Sequence, residues 1–547
     1  MSEWHAGFAI CDLQVPGGKD MAGYGPMATK GEVGEALYAR ALYLRVDEEE
    51  IALVAVDLMG ASTWLLRKTA ALADLDEGRI VLAGTHTHTA PGRWFGAPFY
   101  DAFAHRLKVG KLFDKTLAKH LAERIATAIH NARSAAMPAT VSLGRALCHH
   151  AGSNRSYDAF CKNPEAEHWP AAIGVKSPAQ GKERAVDPRV TVISARADGE
   201  LVGAFATFGC HATALGVDQK TYARDWPGET IAALGDVGEK VAVAQGAGGD
   251  VSPLPPEGLD DPKPHQGASL AKKRGAQVAD AIRKALVDSE ELNAKLAVAS
   301  APWAPPREDH WAVGWALMGG AEDARAPFHR WPFKCIQEGN PCKDRGEPQG
   351  TKCVIRVAQL RSILRLSPYH RLHRVTLGSH TLFTLPAEPT AVAASRVERV
   401  LIERFGGTAS VVGYAGDYIG YLTTAEEYAL QHYEGASMLY GMESVESLGV
   451  QLRIMHGVSK LPPLDDALEE TAFPEGAFGG HEGEVTWVVY PASSKECALD
   501  LTLDGVAPLV EPASLGPELW AAAFPRLEGD GALVVGGDAQ KVRWPDE

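Results

Sequence analysis

Two histidines separated by one threonine, His86 and His88 in Thr85-His86-Thr87-His88-Thr89-Ala90-Pro91-Gly92, directly follow the apolar run Val81-Leu82-Ala83. Imidazole is a nitrogen donor for divalent cations and a proton carrier near neutral pH. In an extended chain residues i and i+2 share a face, so this spacing aims both rings at one point. A metal site can start this way. A pair of hydrogen-bonding histidines at a strand end fits the same spacing.

Four further segments repeat the pattern of an apolar run that stops at small residues carrying a chemically capable side chain. Leu201 to Phe208 runs into Gly209-Cys210-His211, and Lys240 to Gln245 into Gly246-Ala247-Gly248-Gly249-Asp250-Val251-Ser252-Pro253. His380 to Leu385 ends at Pro386-Ala387-Glu388-Pro389, and Ser410 to Tyr414 leads towards Asp417-Tyr418-Ile419-Gly420-Tyr421. Runs of this length read as buried strands, and functional groups collect where the strands of an open sheet end, so five such ends predict one shared crevice. Each residue alone has a plainer reading. His211 fits a satisfied core histidine, Tyr421 a core aromatic and Ser252 a turn residue before Pro253. Glu388 fits an acid at a helix start, because Thr390 to Val397 reads as helix.

Between these ends lie the elements that must position them. Leu117, Leu121, Ile125 and Ile129 recur every four residues within Asp114 to Ala135, and Val278, Ile282 and Leu286 do so within Ser269 to Asp288. Both spacings predict amphipathic helices. Interspersed strands and helices give a mixed α/β fold, with mixed sheets flanked by helices. Thr424 followed by Glu427 has the form of a capping box, which explains Glu427 as a helix start rather than a catalytic acid. Asp250, beside the glycines, is read as structural.

The chain as a whole resembles the neutral, non-lysosomal ceramidases. The resemblance rests on blocks in the same order over roughly residues 1 to 460: Gly23-Tyr24-Gly25, Thr85-His86-Thr87-His88, Asn154-Arg155-Ser156, Gly249-Asp250-Val251-Ser252-Pro253 and Gly319-Gly320-Ala321-Glu322-Asp323. The most specific block is Tyr421-Leu422-Thr423-Thr424-Ala425-Glu426-Glu427-Tyr428, continued by Gln431-His432-Tyr433-Glu434-Gly435-Ala436-Ser437. The resemblance implies a zinc-dependent amidohydrolase that cleaves the N-acyl amide of ceramide to sphingosine and fatty acid. One Zn2+ per chain would be held by His86, His211, Glu388 and Tyr421, with no organic cofactor. Water activated at the ion would attack the carbonyl, assisted by His88, Arg155, Ser252 and Tyr433. In that scheme His88 stands off the metal and passes a proton to the leaving amine, while Arg155 and Tyr433 hold the oxygen on which charge builds. Ser252 either forms an acyl-enzyme or orients the substrate, and the orienting role is favoured because the metal already supplies a nucleophile.

Departures from the family pattern bear on the substrate. Arg93-Trp94-Phe95 follows the histidine block where small residues are usual, Ala223 to Gly228 keeps only an acid and a glycine, and Pro389 follows Glu388 in place of an aromatic. Another N-acyl amide would use the same machinery, and a non-catalytic lipid-binding or metal-binding relative is the remaining alternative. Trp94, Phe95, Phe99 and Tyr100 either line an acyl channel or fill core.

Composition excludes other classes. With 547 residues, of which 46% are hydrophobic and 22% charged, the chain can bury a large core. A formal net charge of -15 opposes nucleic-acid binding and charge-driven docking on anionic lipid. No apolar stretch spans a bilayer, so contact with a membrane surface would be transient. The start shows no secretory signal, which gives a cytoplasmic location by default although relatives are often exported. Eight scattered cysteines form no disulfide framework; for Cys335, Cys342 and Cys353 a local disulfide or none is open. Trp303 to Cys353 reads as an irregular excursion, either a pocket wall or an insertion packed by its own aromatics. The signal Leu461-Pro462-Pro463-Leu464-Asp465-Asp466 divides a catalytic domain, 1–460, from a short β-rich segment, 461–547, read as a reduced immunoglobulin-like module or an unrelated appendage.

Overall fold

Along the strand Tyr38–Val46, Ala39, Ala41 and Tyr43 point one way and Leu42, Leu44 and Val46 the other, and all six are buried. A strand apolar on both faces needs cover on both sides, and this requirement sets the architecture. In the computed structural model the described residues are 2–544, apart from 104–109, 172, 173, 175, 262, 263, 307–310, 347, 356–364, 366, 464, 465, 474, 517, 528 and 530. Two positions of the linker signal, 464 and 465, therefore lie outside the described residues.

The strand sits in a nine-stranded sheet ordered Val241–Gln245, Glu200–Phe208, Arg189–Ala197, Met137–Leu147, Trp4–Asp12, Tyr38–Val46, Glu49–Val56 and Ile80–Gly84, with Glu290–Glu291 beside Met137–Leu147. Its pairs are antiparallel except at the two edges, where Val241–Gln245 and Ile80–Gly84 run parallel to their neighbours. A second sheet contains Leu296–Trp303, His370–Leu377, His380–Thr384 and Thr408–Val412, the last pair parallel. Leu42, Leu53, Val81 and Phe205 of the first sheet meet Val298, Val375, Leu382 and Val412 of the second in one core. Helices cover the outer faces: Thr63–Ala73, Lys115–Ser134, Asp225–Leu234 and Ala268–Val287 lie on the large sheet, and Ala391–Phe405 and Ser444–Ile454 on the small one. The result is a layered mixed α/β fold, as the interspersed periodicities predict.

The helices follow their sequence signals closely. Lys115–Ser134 starts where the Asp114 side chain accepts from Leu117 N, and it buries Leu117, Leu121, Ile125 and Ile129. Ala268–Val287 buries Val278, Ile282 and Leu286. Thr424 and Glu427 form the predicted capping box at the start of Ala425–Leu430.

Ala472–Phe473 pairs with Gly110–Lys111, and the described residues from 478 include two small antiparallel sheets, one of Phe478–Glu482, Val485–Pro491, Leu519–Pro525 and Ala513–Ser514, the other of Leu501–Leu503, Ala532–Val535 and Asp538–Lys541. The first of them shares a core with the 303–353 excursion: Trp487 meets Trp315 edge-on at 5.3 Å, among Phe328, Trp331 and Phe333. Cys342 and Cys353 are joined as a disulfide. Among the described residues no helix is long and apolar enough to cross a membrane.

Candidate metal centre

All five predicted strand ends open into one place. Gln245, the last residue of its strand and fully buried, fastens three of them. Its Nε2 donates to Thr85 O at 2.8 Å, its Oε1 accepts from Cys210 N at 3.1 Å, and its backbone carbonyl accepts from Gly413 N at 3.0 Å. The loops bearing His86, His211 and Tyr421 thus leave the sheets side by side. Glu388 and Tyr421 are register partners in a two-residue parallel ladder. Gly249 packs against it so closely that a Cβ there would lie 2.4 Å from Glu388 O. Only glycine permits that approach.

One expectation is corrected in its cause. His86 and His88 do converge, with ring centroids 4.6 Å apart, but not by strand alternation. The strand ends at Gly84, and His86 adopts φ +64°, a left-handed conformation that turns its ring back beside His88.

The donor atoms point at one another. His86 Nδ1 lies 2.7 Å from Met59 O and His211 Nδ1 2.8 Å from Gly248 O, so each Nδ1 carries the proton it donates and each Nε2 presents a lone pair. Glu388 Oε2 lies 3.3 Å from His86 Nε2 and 2.8 Å from His211 Nε2. Tyr421 Oη is 3.0 Å from His211 Nε2, and His88 Nε2 is 3.0 Å from His86 Nε2. A carboxylate oxygen held between two imidazole lone pairs in a buried space is repelled unless a cation lies among them, so the donor set fits a divalent metal ion. The three histidines alone form a group able to hold one, which places His88 as near as any ligand rather than behind the site.

The electrostatics match. Burial pushes His88 well down, helped by His86 and His211, and pushes His211 down as well, with the Arg155 charge acting in the same direction. Both rings are therefore neutral donors. Burial acts to raise the Glu388 carboxyl, and positive charge at the His86 and His211 ring positions holds it well below the usual carboxylate range, the same role a bound cation would fill against neutral imidazoles. Burial raises Tyr421, opposed by Arg155, whose Nη2 donates to the phenol oxygen at 2.9 Å.

Arg155 is clamped: its Nε donates to Glu434 at 2.7 Å, Nη2 also donates to Gly249 O at 3.0 Å, Glu322 lies 3.5 Å from Nη1, and the guanidinium rides over the rings of Tyr421 and Tyr433. Tyr433 packs edge-on to Tyr421 at 5.5 Å. Ser252 is fully buried in the loop beside Arg155, accepts from Leu254 N at 3.3 Å and bonds Glu322; it is not among the residues lining the cavity. Asp250 is structural as expected, accepting from Asn154 Nδ2 and from Ala391 N at the start of a helix.

A cavity of about 1040 Å3, counting its open mouth, leads from His88, His211, Glu388 and Tyr421 past Arg155 and Tyr433. Phe99 and Tyr100 line it, whereas Trp94 and Phe95 stack on each other in the core. The excursion supplies a wall through Leu317, Met318 and Phe328 while Trp315 and Trp331 pack behind it, so both readings of that segment hold in part. Sequence reasoning missed the groups that hold the candidate ligands in place. Tyr418 donates to Glu388 Oε1, Tyr414 lies 3.4 Å from its Oε2, and Gln245 fastens the loops. A polar residue closing Val241-Ala242-Val243-Ala244 was the available signal for Gln245.

The family model for neutral/alkaline non-lysosomal ceramidase, N-terminal, matches residues 5–264 and 327–448. A neutral ceramidase of Pseudomonas aeruginosa is 27% identical over 410 residues, covering 67% of this chain and 57% of that protein. The chain thus spans little more than half the length of that relative. A neutral ceramidase of Mycobacterium tuberculosis is 26% identical over 501 residues, covering 79% of this chain and 74% of that protein. A solved structure described as ceramidase complexed with C2 superposes with a TM-score of 0.71 at 21% identity, covering 97% of this chain and 95% of that one, which establishes a common fold. With both histidine loops, the Glu388–Tyr421 ladder and the Arg155 block all inside the matched segments, this chain belongs to the neutral/alkaline non-lysosomal ceramidase family.

Proposed function

We propose that the protein is a zinc amidohydrolase that cleaves the N-acyl amide of ceramide. The observation that carries this reading is the convergence of buried lone pairs from His86, His211, Glu388 and Tyr421 at the wall of a largely apolar cavity. Nitrogen and oxygen donors of this mix suit zinc, which when bound supplies Lewis acidity to the scissile carbonyl and lowers the pKa of water.

The chain's own residues do the rest. Phe99, Tyr100 and Met318 offer apolar surface to an acyl chain. Arg155 stays charged between Glu434 and Glu322, and with the Tyr433 hydroxyl it provides fixed donors for the carbonyl oxygen as charge accumulates there. His88 lines the cavity as a neutral ring, so it first accepts the proton released by the attacking water and then hands it to the leaving amine. Ser252, bonded to Glu322 and off the cavity lining, steadies the carboxylate that faces Arg155 rather than acting as a nucleophile.

Metal analysis of the purified protein, with hydrolysis of a fluorescent ceramide followed before and after chelation, tests the proposal. One zinc per chain and sphingosine release that chelation abolishes and zinc restores is the expected result. Turnover that survives metal removal, or none on any N-acyl amide of a broad panel, overturns it.

A further inference from the structure

The cavity contains a polar group that neither the metal nor the oxygen-binding residues use. Asp323 lines it from the excursion wall, 6% exposed, between Gly320, Ala321 and Ala324. Its Oδ2 is buried without a hydrogen-bond partner, as is Oε1 of the adjacent Glu322. Buried polar atoms are almost always paired, and an ionised carboxylate accepts only, so a vacant Oδ2 on a cavity wall asks for a donor from whatever fills the cavity. Ala321 and Ala324, on the same wall, add only methyl groups beside it. The charge of Asp323 reaches Tyr24 and Tyr433, both of which line the same cavity, so the group sits within the substrate's space rather than behind it.

We propose that Asp323 is a specificity-determining residue of this cavity, its carboxylate accepting a hydrogen bond from a hydroxyl on the amine side of an N-acyl amide. Two consequences follow. An N-acyl amino alcohol satisfies Oδ2 on binding, whereas an unfunctionalised N-alkyl amide leaves it desolvated and unpaired, and sites built for a hydroxyl discriminate strongly against analogues that lack one. An N-acyl amino acid brings a carboxylate towards Asp323 and Glu322, and like charges in a buried space exclude it. The apolar walls select for a long chain; Asp323 selects what the amine carries.

This inference rests on the proposed amidohydrolase reading, and the test separates the two. In the zinc-loaded full chain, Asp323→Asn removes the charge at nearly constant shape. The kcat/KM ratio of a ceramide to N-palmitoylglycine is expected to fall about 100-fold or more, mostly through KM, with zinc content and thermal midpoint unchanged. In parallel, calorimetry measures binding of the long-chain amino alcohol product, expected to weaken at least about tenfold in the variant. A preference ratio and product affinity both unchanged in Asp323→Asn overturn the inference even if the wild type hydrolyses ceramide. If the wild type hydrolyses nothing, the functional reading fails while the binding arm still decides the role of Asp323.

Discussion

His88 is the residue on which the site's geometry is most finely set. Its ring lies edge-on to His86 and to Tyr24, and its other flank is closed by the backbone of Gly23, where a Cβ would sit 2.4 Å from the His88 Cγ. Gly23 also has φ +96°, a region L side chains rarely adopt. Both constraints act on Gly23→Ala, so the variant is expected to lose about 2–4 kcal/mol of stability and to displace His88. His86, His211, Glu388 and Tyr421 remain, so zinc content should stay near that of the wild type while hydrolysis falls at least about tenfold. Denaturant melts, metal analysis and a ceramide assay on one preparation check all three. Equal loss of metal and activity would show instead that His88 is itself a ligand, as its 3.0 Å approach to His86 Nε2 allows.

At the scale of elements the site depends on strands ending in register, and Gln245 enforces it. Gln245→Leu keeps the volume but leaves Thr85 O and Cys210 N buried without their partner, a loss of about 2–5 kcal/mol. Because those two atoms belong to the loops of His86 and His211, zinc affinity is expected to fall by on the order of 10- to 100-fold, measured by competition with a chelator. A variant destabilised to this extent yet binding zinc as the wild type does would show that the loops are held by other means. The strands and helices were legible in the sequence because each is marked by local periodicity: Leu117 to Ile129 buries one helical stripe, and Thr424 with Glu427 caps another helix. The proposed ligands could be named from the sequence only through the family order of their blocks. Tyr414, Tyr418 and Gln245 could not, because nothing local distinguishes a tyrosine that orients a carboxylate from one that fills core; that difference arises only when separate loops meet, 26 and 30 residues apart for the tyrosines with Glu388 and 160 for Gln245 with Thr85. The turn at His86 was missed for a related reason, since its φ of +64° is imposed by tertiary contacts rather than by its neighbours in the chain.

The whole molecule is a stack of layers, and the small sheet carries a pH-sensitive group far in sequence from the metal ligands' histidine loops. His380 opens the strand His380–Thr384 and is fully buried, its Nδ1 beside Thr408 Oγ1 and its Nε2 beside Ser410 Oγ at 2.9 Å each, so it pins the parallel ladder to Thr408–Val412. Burial, aided by Arg145 and Arg189, pushes its pKa down to about 3. The unfolded chain therefore binds a proton that the folded chain refuses between pH 6.5 and about 3, and this group's contribution to stability is lost as pH falls through that window. Buried acids act with the opposite sign: Asp101, pushed up to about 8 by burial, and Glu398, pushed up to about 7 mainly by burial, take up protons in the folded state first and so favour it as pH falls. The overall pH profile mixes both signs, and only a difference between two proteins isolates one group. His380→Gln keeps a side chain that can bond Thr408 and Ser410 but does not titrate. Between pH 7 and pH 5 the wild type is expected to lose on the order of 2 kcal/mol relative to this variant, read from parallel urea melts. Curves that stay parallel across the range would show that the ladder readily admits a charged imidazole.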